Sequence, residues 1–262
     1  MGEDESKNLR IASTDGVLIE VHVARPGSSM RVDVPGLVLL HGFPSSLVGA
    51  EKVGSDFYQL ADRIADEMGW LVASVRMRGC GTSTGDFSLG GWVDDARAAL
   101  EYLRFEGQPD RLWICGFGTG GAIALAASVN DPSVTGVATL GTPADFKDWA
   151  QRPEQLLEHA RGLGVIESPG FPSDFAHWSS QLSSVSGLEA AEAISDKGFL
   201  AIHGFHDEVV PVFDARLLAD GHGEAELHII SGAGHQLRND PRAIAVLLGW
   251  LDRQRLASAR IV

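Results

Sequence analysis

Short, almost wholly apolar runs alternate with amphipathic stretches along most of the chain. LRIAST and VLIEVHVAR, separated by Asp15-Gly16, are strand-like runs joined by a hairpin signal. GLVLLHG, ending at Gly42, has the pattern of a parallel strand covered on both faces. WLVASV, RLWICGF, GVATLG, FLAIHG and AELHIISG repeat it. Between these runs, DFYQLADRIADEM (Asp56 to Met68) places apolar residues at helical spacing, and Gly69 supplies a stop. WVDDARAALEYLRFEG, TGGAIALAAS, VFDARLLADG and PRAIAVLLGWLDRQRLA are also helical in pattern. The alternation predicts an α/β architecture: an open, mostly parallel sheet of about eight strands, helices on both faces, and an antiparallel hairpin at the N-terminal edge.

Residues 143–197 break this rhythm. The segment holds DFKDWAQRPEQLLEHARG, the turn-rich IESPGFPS, and DFAHWSSQLSSVSGLEAAEAI. It predicts a helical, lid-like insertion within a single domain spanning 1–262, set over the carboxyl ends of the strands, where open α/β sheets build their sites. Pro153 is placed to start the main helix of its first part. Phe146, Trp149, Phe171, Phe175 and Trp178 either line a pocket or fasten the insertion to the body.

A chain of 262 residues fits one core. Lys and Arg number 21 against 35 Asp and Glu, for a net charge of −14, which argues against a nucleic-acid surface or an acidic membrane as partner. No apolar run approaches the roughly 18 residues needed to span a bilayer. MGEDESKN lacks the basic start and apolar centre of a secretory signal, so a cytoplasmic location is expected. Met1-Gly2 with Ser6 formally matches an acylation signal, but the acidic residues between them provide no basic patch. Cys80 and Cys115 are the only cysteines, too few for a disulfide framework or a zinc set, and packed thiols are expected.

The candidate chemistry centres on GFGTGG, Gly116 to Gly121, between an apolar run and a small-residue helix. A strand, a G-x-nucleophile-x-G turn and a helix present the middle residue at the tip of a strained turn, yet here that residue is Gly118. The glycines fit a dinucleotide loop imperfectly and come after several strands, and GK[ST] is missing, so no nucleotide cofactor is expected. HGFHDEVVP and SGAGH follow two late strands and supply a carboxylate, Asp207, and then a histidine, His235. That is the chain order of nucleophile, acid and base in one class of hydrolase. Asp207 would accept from one ring nitrogen of His235 and leave the other facing the site. Taken singly, Asp207 reads equally as a turn or capping carboxylate, and His235 as a loop histidine.

With these motifs in place, the chain resembles the α/β-hydrolase superfamily nearly end to end, and most of all its small esterase and dienelactone-hydrolase-like members. His41-Gly42-Phe43 resembles the family's HG loop, RMRGCGTSTG its RGxGxSxG loop, GFGTGG its GFSxGG elbow, HGFHDEVVP its HGxxDxxVP segment, and GAGH its histidine loop. The resemblance implies an α/β-hydrolase fold, Asp207 as acid, His235 as base, and an oxyanion hole from the Phe43 and Thr119 N–H groups. It implies no cofactor and no metal, and a small acyl compound or similar apolar ligand as partner. The one central departure is Gly118, where a family member carries its nucleophilic serine.

Glycine has no Oγ, so an acyl-serine route through position 118 is closed. Thr119 lies one step past the tip, and Cys115 belongs inside the strand. Ser45, Ser46 and Ser83 read as turn-forming hydroxyls. His41 is expected to orient the oxyanion loop, and no HExxH motif accompanies it and His206 as metal ligands. Arg76 and Arg78 either pair with acidic neighbours or meet an anionic ligand. Three functional readings stay open. The chain is an ester-hydrolase relative whose covalent hydrolysis is absent or much reduced, a non-catalytic ligand-binding or regulatory relative, or a catalyst in which His235 and Asp207 act without serine on water or on a substrate proton.

Overall fold

The computed structural model describes residues 7–27, 34–109 and 111–258; the acylation-like motif over residues 1–6 lies outside them. Strands β1 (Lys7–Ala12) and β2 (Leu18–Ala24) form the N-terminal hairpin. They are followed by β3 (Gly36–Leu40), β4 (Leu71–Arg76), β5 (Leu112–Phe117), β6 (Val134–Leu140), β7 (Gly198–Gly204) and β8 (Glu226–Ile230). The eight strands make one sheet in the order β1-β2-β4-β3-β5-β6-β7-β8. β2 runs antiparallel to β1 and β4, and every other pairing is parallel. This is the expected α/β-hydrolase architecture of a mostly parallel eight-stranded sheet with helices on both faces.

The near-continuous apolar runs have a simple origin: alternate residues of each buried strand serve opposite cores. Val38 and Leu40 of β3, with Leu112 and Ile114 of β5, face the core capped by α3 (Leu89–Glu106), α4 (Thr119–Ser128) and α8 (Gly187–Ala193). Leu37 and Leu39, with Trp113, Cys115 and Phe117, face the core formed with α2 (Tyr58–Met68) and α10 (Pro241–Ser258). α2 ends at Gly69, whose φ of 76° is the left-handed stop expected there. α3 begins three residues before the predicted pattern, because the Ser88 side chain accepts from the Gly91 N–H and caps it. A short α1 (Leu47–Lys52), capped in the same way by Ser46, was not legible as a helix from its sequence. α9 (Val212–His222) connects β7 to β8.

Between β6 and β7 the chain forms α5 (Lys147–Gln151), α6 (Pro153–Gly162), α7 (Phe175–Ser184) and then α8. Pro153 is the first residue of α6, where its missing N–H removes no helical hydrogen bond. The four helices differ in role. α8 packs on α4 and α9, and the Leu188 N–H donates to Ala144 O at 2.8 Å, so it belongs to the layer covering the sheet. α7 is fastened beside α3: Trp178 Nε1–H donates to Phe87 O at 3.1 Å, and the Gly90 N–H donates to Gln181 Oε1 at 3.0 Å. Among the described residues no helix is long and apolar enough to cross a membrane.

Candidate active site

The site is built from loops at the carboxyl ends of β3, β5, β7 and β8. After Phe117 the chain turns sharply at Gly118 (φ 54°, ψ −126°) and enters α4. Two hydrogen bonds lock the turn: Gly118 N–H to Leu140 O at 2.8 Å, and Gly121 N–H to Gly118 O at 2.9 Å.

The glycines of GFGTGG are not equivalent. A Cβ at Gly116 would fall 2.1 Å from Gly120 O, one at Gly120 2.3 Å from His41 O, and one at Gly121 1.9 Å from Thr142 Oγ1. Backbone and side chains approach too closely there for any larger residue. Gly118 differs, since the nearest atoms to a Cβ there are His235 Nε2 at 3.5 Å and Gly42 Cα and His235 Cε1, each at 3.7 Å. These are ordinary van der Waals contacts. Position 118 thus has room for a side chain aimed at an imidazole, and only its backbone conformation favours glycine.

His235 and Asp207 sit on neighbouring loops after β8 and β7, tied together by His206 N–H to Ala233 O (2.9 Å) and Phe205 N–H to Ile230 O (3.0 Å). Asp207 Oδ2 lies 2.9 Å from His235 Nδ1, and the Val209 and Val210 N–H groups each donate to Oδ1 at 2.9 Å. The Asp207 side chain is wholly buried, whereas that of His235 is 31% exposed. Burial pushes the Asp207 carboxyl up, but hydrogen bonds from His203, His235 and the two valine amides outweigh it and hold the group well below the usual carboxylate range. An ionised Asp207 places the imidazole proton on Nδ1 and leaves Nε2 as an acceptor beside position 118. Asp207→Asn is therefore expected to change the His235 tautomer. The ¹⁵N shifts of the labelled imidazole would show it; the same shifts in parent and variant would break the pairing.

His41, buried at the end of β3, bridges two loops. Its Nδ1–H donates to Gly42 O at 2.8 Å, and the Met77 N–H donates to Nε2 at 3.0 Å. Both contacts suit a neutral ring. Burial, together with the nearby Arg76 charge and against the Gly42 hydrogen bond, pushes its pKa from 6.5 down to about 4. The unfolded chain protonates this histidine below pH 6.5 and the folded chain only near 4, so its contribution to stability is complete above 6.5 and is lost as pH falls towards 4. Between pH 7 and 4.5 the parent is expected to lose roughly 2 to 3 kcal/mol more than His41→Gln in urea unfolding. Equal losses would contradict this.

Beside it, the Phe43 ring lies among Phe87 (4.8 Å between centroids), Trp149 (5.3 Å) and His159 (6.1 Å), so α5 and α6 close over the HG loop. Phe146 stacks on Trp149 and is buried. Trp149 thus packs on Phe43 of the HG loop, whereas Trp178 fastens α7 to the body. The Phe43 N–H has no hydrogen-bond partner among the described residues. Thr119 is the first residue of α4, where a helix leaves its N–H groups unpaired.

The remaining candidates are placed elsewhere. Cys80 and Cys115 are buried, and burial pushes both thiols far above their ordinary range. Ser46 caps α1; Ser83 Oγ donates to Arg76 O at 2.6 Å and accepts from the Glu20 N–H at 2.8 Å. Arg76 pairs with Glu20, and Arg78 with Asp95 and Asp15. His206 is exposed, and no three His, Cys, Asp or Glu side chains among the described residues are grouped to hold a metal. His203, which opens the HGFHDEVVP segment, has no role assigned by the sequence; it is the polar residue near the end of the apolar strand β7, ahead of the acid loop.

Comparison with known proteins follows the same lines. The family model described as alpha/beta hydrolase fold matches residues 35–167, just over half of the chain, from β3 through the GFGTGG turn to just beyond α6. Asp207 and His235 lie beyond that match. Among curated proteins, the 2-hydroxymuconate semialdehyde hydrolase of Pseudomonas sp. (strain CF600) is 29% identical over 177 residues, covering 55% of this chain and 61% of that protein. The chain thus spans about three fifths of the length of this curated relative. Among solved structures, the Pyrococcus furiosus esterase Pf2001 superposes with a TM-score of 0.69 at 18% identity, covering 95% of this chain and 91% of that one. Est1E of Butyrivibrio proteoclasticus, with ferulic acid bound, gives 0.71 at 16% identity, covering 95% and 98%. At such identities the superpositions speak for the fold alone. The family match and the sheet agree, and the chain belongs to the alpha/beta hydrolase fold family.

Proposed function

We propose that the chain derives from carboxylic-ester hydrolases and carries a site complete except for its nucleophile, so that covalent hydrolysis is absent or much reduced in this form. One observation carries the reading: a Cβ at Gly118 would stand 3.5 Å from His235 Nε2, while the other ring nitrogen lies 2.9 Å from Asp207. A hydroxyl on that Cβ would reach hydrogen-bond distance of Nε2. Such an Oγ would attack the ester's acyl carbon as its proton passes to His235, and the Phe43 and Thr119 N–H groups would donate to the resulting oxyanion. The ester C–O bond would break as His235 returns the proton to the departing alcohol. The stacked Phe146–Trp149 pair and Phe43 suit a small acyl compound or similar apolar ligand. The buried free thiols fit a reducing cytoplasm.

The same geometry favours a second reading, in which His235 Nε2 activates water directly. The test compares the parent, Gly118→Ser and Gly118→Ala on a panel of short activated esters. Hydrolysis gained only with Ser supports the first reading. A parent already active through His235, lost in His235→Ala and slowed by Ser, supports the second. A ligand-binding role remains if none of the folded forms turns over.

A further inference from the structure

His203, next to last in β7, is fully buried, and its Nε2 lies 3.0 Å from Val210 O and 3.3 Å from Asp207 Oδ2. Both neighbours are acceptors, so Nε2 carries a hydrogen and shares it between them. Nδ1 has no hydrogen-bond partner among the described residues. A buried polar atom left in that state is destabilising, a cost that a phenylalanine or leucine filling the same place would avoid.

The return lies in the acid loop. Phe205, His206, Glu208 and Val209 are all exposed, so little packing holds the loop's tip. Asp207 accepts from Val209 and Val210, but those donors belong to the same loop and move with it. Among the described residues His203 alone supplies a donor from the sheet, between β6 and β8, and that one N–H meets both the carboxylate and the far end of the loop at Val210. It also completes the carboxylate: two donors on Oδ1, and two imidazoles on Oδ2.

We propose that His203 is a positioning residue that fixes the Asp207 carboxylate relative to the sheet, and through it the direction in which His235 Nε2 faces position 118. The inference rests on the acid–base reading of that pair. His203→Phe keeps a ring and removes the donor, whereas His203→Gln restores an N–H donor. In histidine-labelled protein with the parental Gly118, His203→Phe is expected to shift or broaden away the hydrogen-bonded Nδ1–H resonance of His235, and His203→Gln to recover it. In the Gly118→Ser background, His203→Phe is expected to lower kcat about tenfold to a hundredfold with KM unchanged, and His203→Gln to rescue it. A role in packing alone would lower the melting temperature and leave both readouts where they were; that result overturns the proposal. Should His203→Phe fail to fold, His203→Asn, with an amide too short to span to Asp207, takes its place under the same criteria. The resonance does not depend on ester chemistry. An inert Gly118→Ser protein with a His203-sensitive resonance therefore rejects the hydrolase reading alone, and an active one with an insensitive resonance rejects only the role of His203.

Discussion

Gly118→Ser is expected to raise hydrolysis of small activated esters by about three orders of magnitude or more over the parent. Removal of a nucleophile costs about that much where the rest of a site is kept, and the proposed partners stand close to position 118. His235 Nε2 stands 3.5 Å from the new Cβ, its Nδ1 is held by Asp207, and Gly42 borders the same space at 3.7 Å. The gain comes with a loss of stability. At φ 54° and ψ −126°, any residue with a side chain is strained, by about 1–3 kcal/mol. Gly118→Ala carries the same strain and no nucleophile, so both variants are expected to melt below the parent while only Ser gains turnover. Equal rates for Ser and Ala would show that the geometry around position 118 does not make a working site.

Asp95→Ala is expected to cost roughly 3–5 kcal/mol, the largest single loss of stability foreseen here. Asp95 is fully buried in α3 and accepts from the Arg78 N–H at 2.8 Å, from Nε at 3.1 Å and from Nη2 at 2.8 Å. Arg78 also reaches Asp15 at 2.6 Å and Ser13 at 3.1 Å in the N-terminal hairpin. Burial opposes the charge on Arg78, yet the two carboxylates hold it firmly protonated. Without Asp95, a buried guanidinium keeps only Ser13 and the partly exposed Asp15 as the partners named above, and hairpin, β4 loop and α3 lose their common tie. Asp95→Asn keeps most of the shape and one acceptor, and is expected to lose less. Urea unfolding of the two variants measures this. A loss under about 1 kcal/mol for Asp95→Ala would mean that the pair contributes no more than a surface bridge.

How much of this was legible beforehand depended on the range of the interactions. The strands were readable because alternate residues of runs such as GLVLL and LWICGF enter two cores, which makes the whole run apolar. GFGTGG, Asp207 and His235 were readable as candidates because each sits at a strand end, where glycine and polar residues interrupt an apolar run. What escaped depended on contacts distant in sequence. LVGAEK has no helical signal of its own, and α1 forms on the Ser46 cap. GLEAAEA reads as a continuation of the insertion, yet its small residues let α8 pack into the body against α4 and α9. Arg78 showed no partner within its own loop; Asp95 stands 17 residues later and Asp15 63 earlier. Above all, the letters GFGTGG cannot tell a glycine excluded by crowding from one with free space, and only the distances around Gly116, Gly118, Gly120 and Gly121 separate them.

The central claim, that the site lacks only its nucleophile, is tested most directly by the intact mass of Gly118→Ser after exposure to a fluorophosphonate. The account predicts a single phosphonyl adduct on position 118, none on the parent or on Gly118→Ala, and much slower labelling when His235→Ala is added. A folded Gly118→Ser protein that takes no label would contradict it.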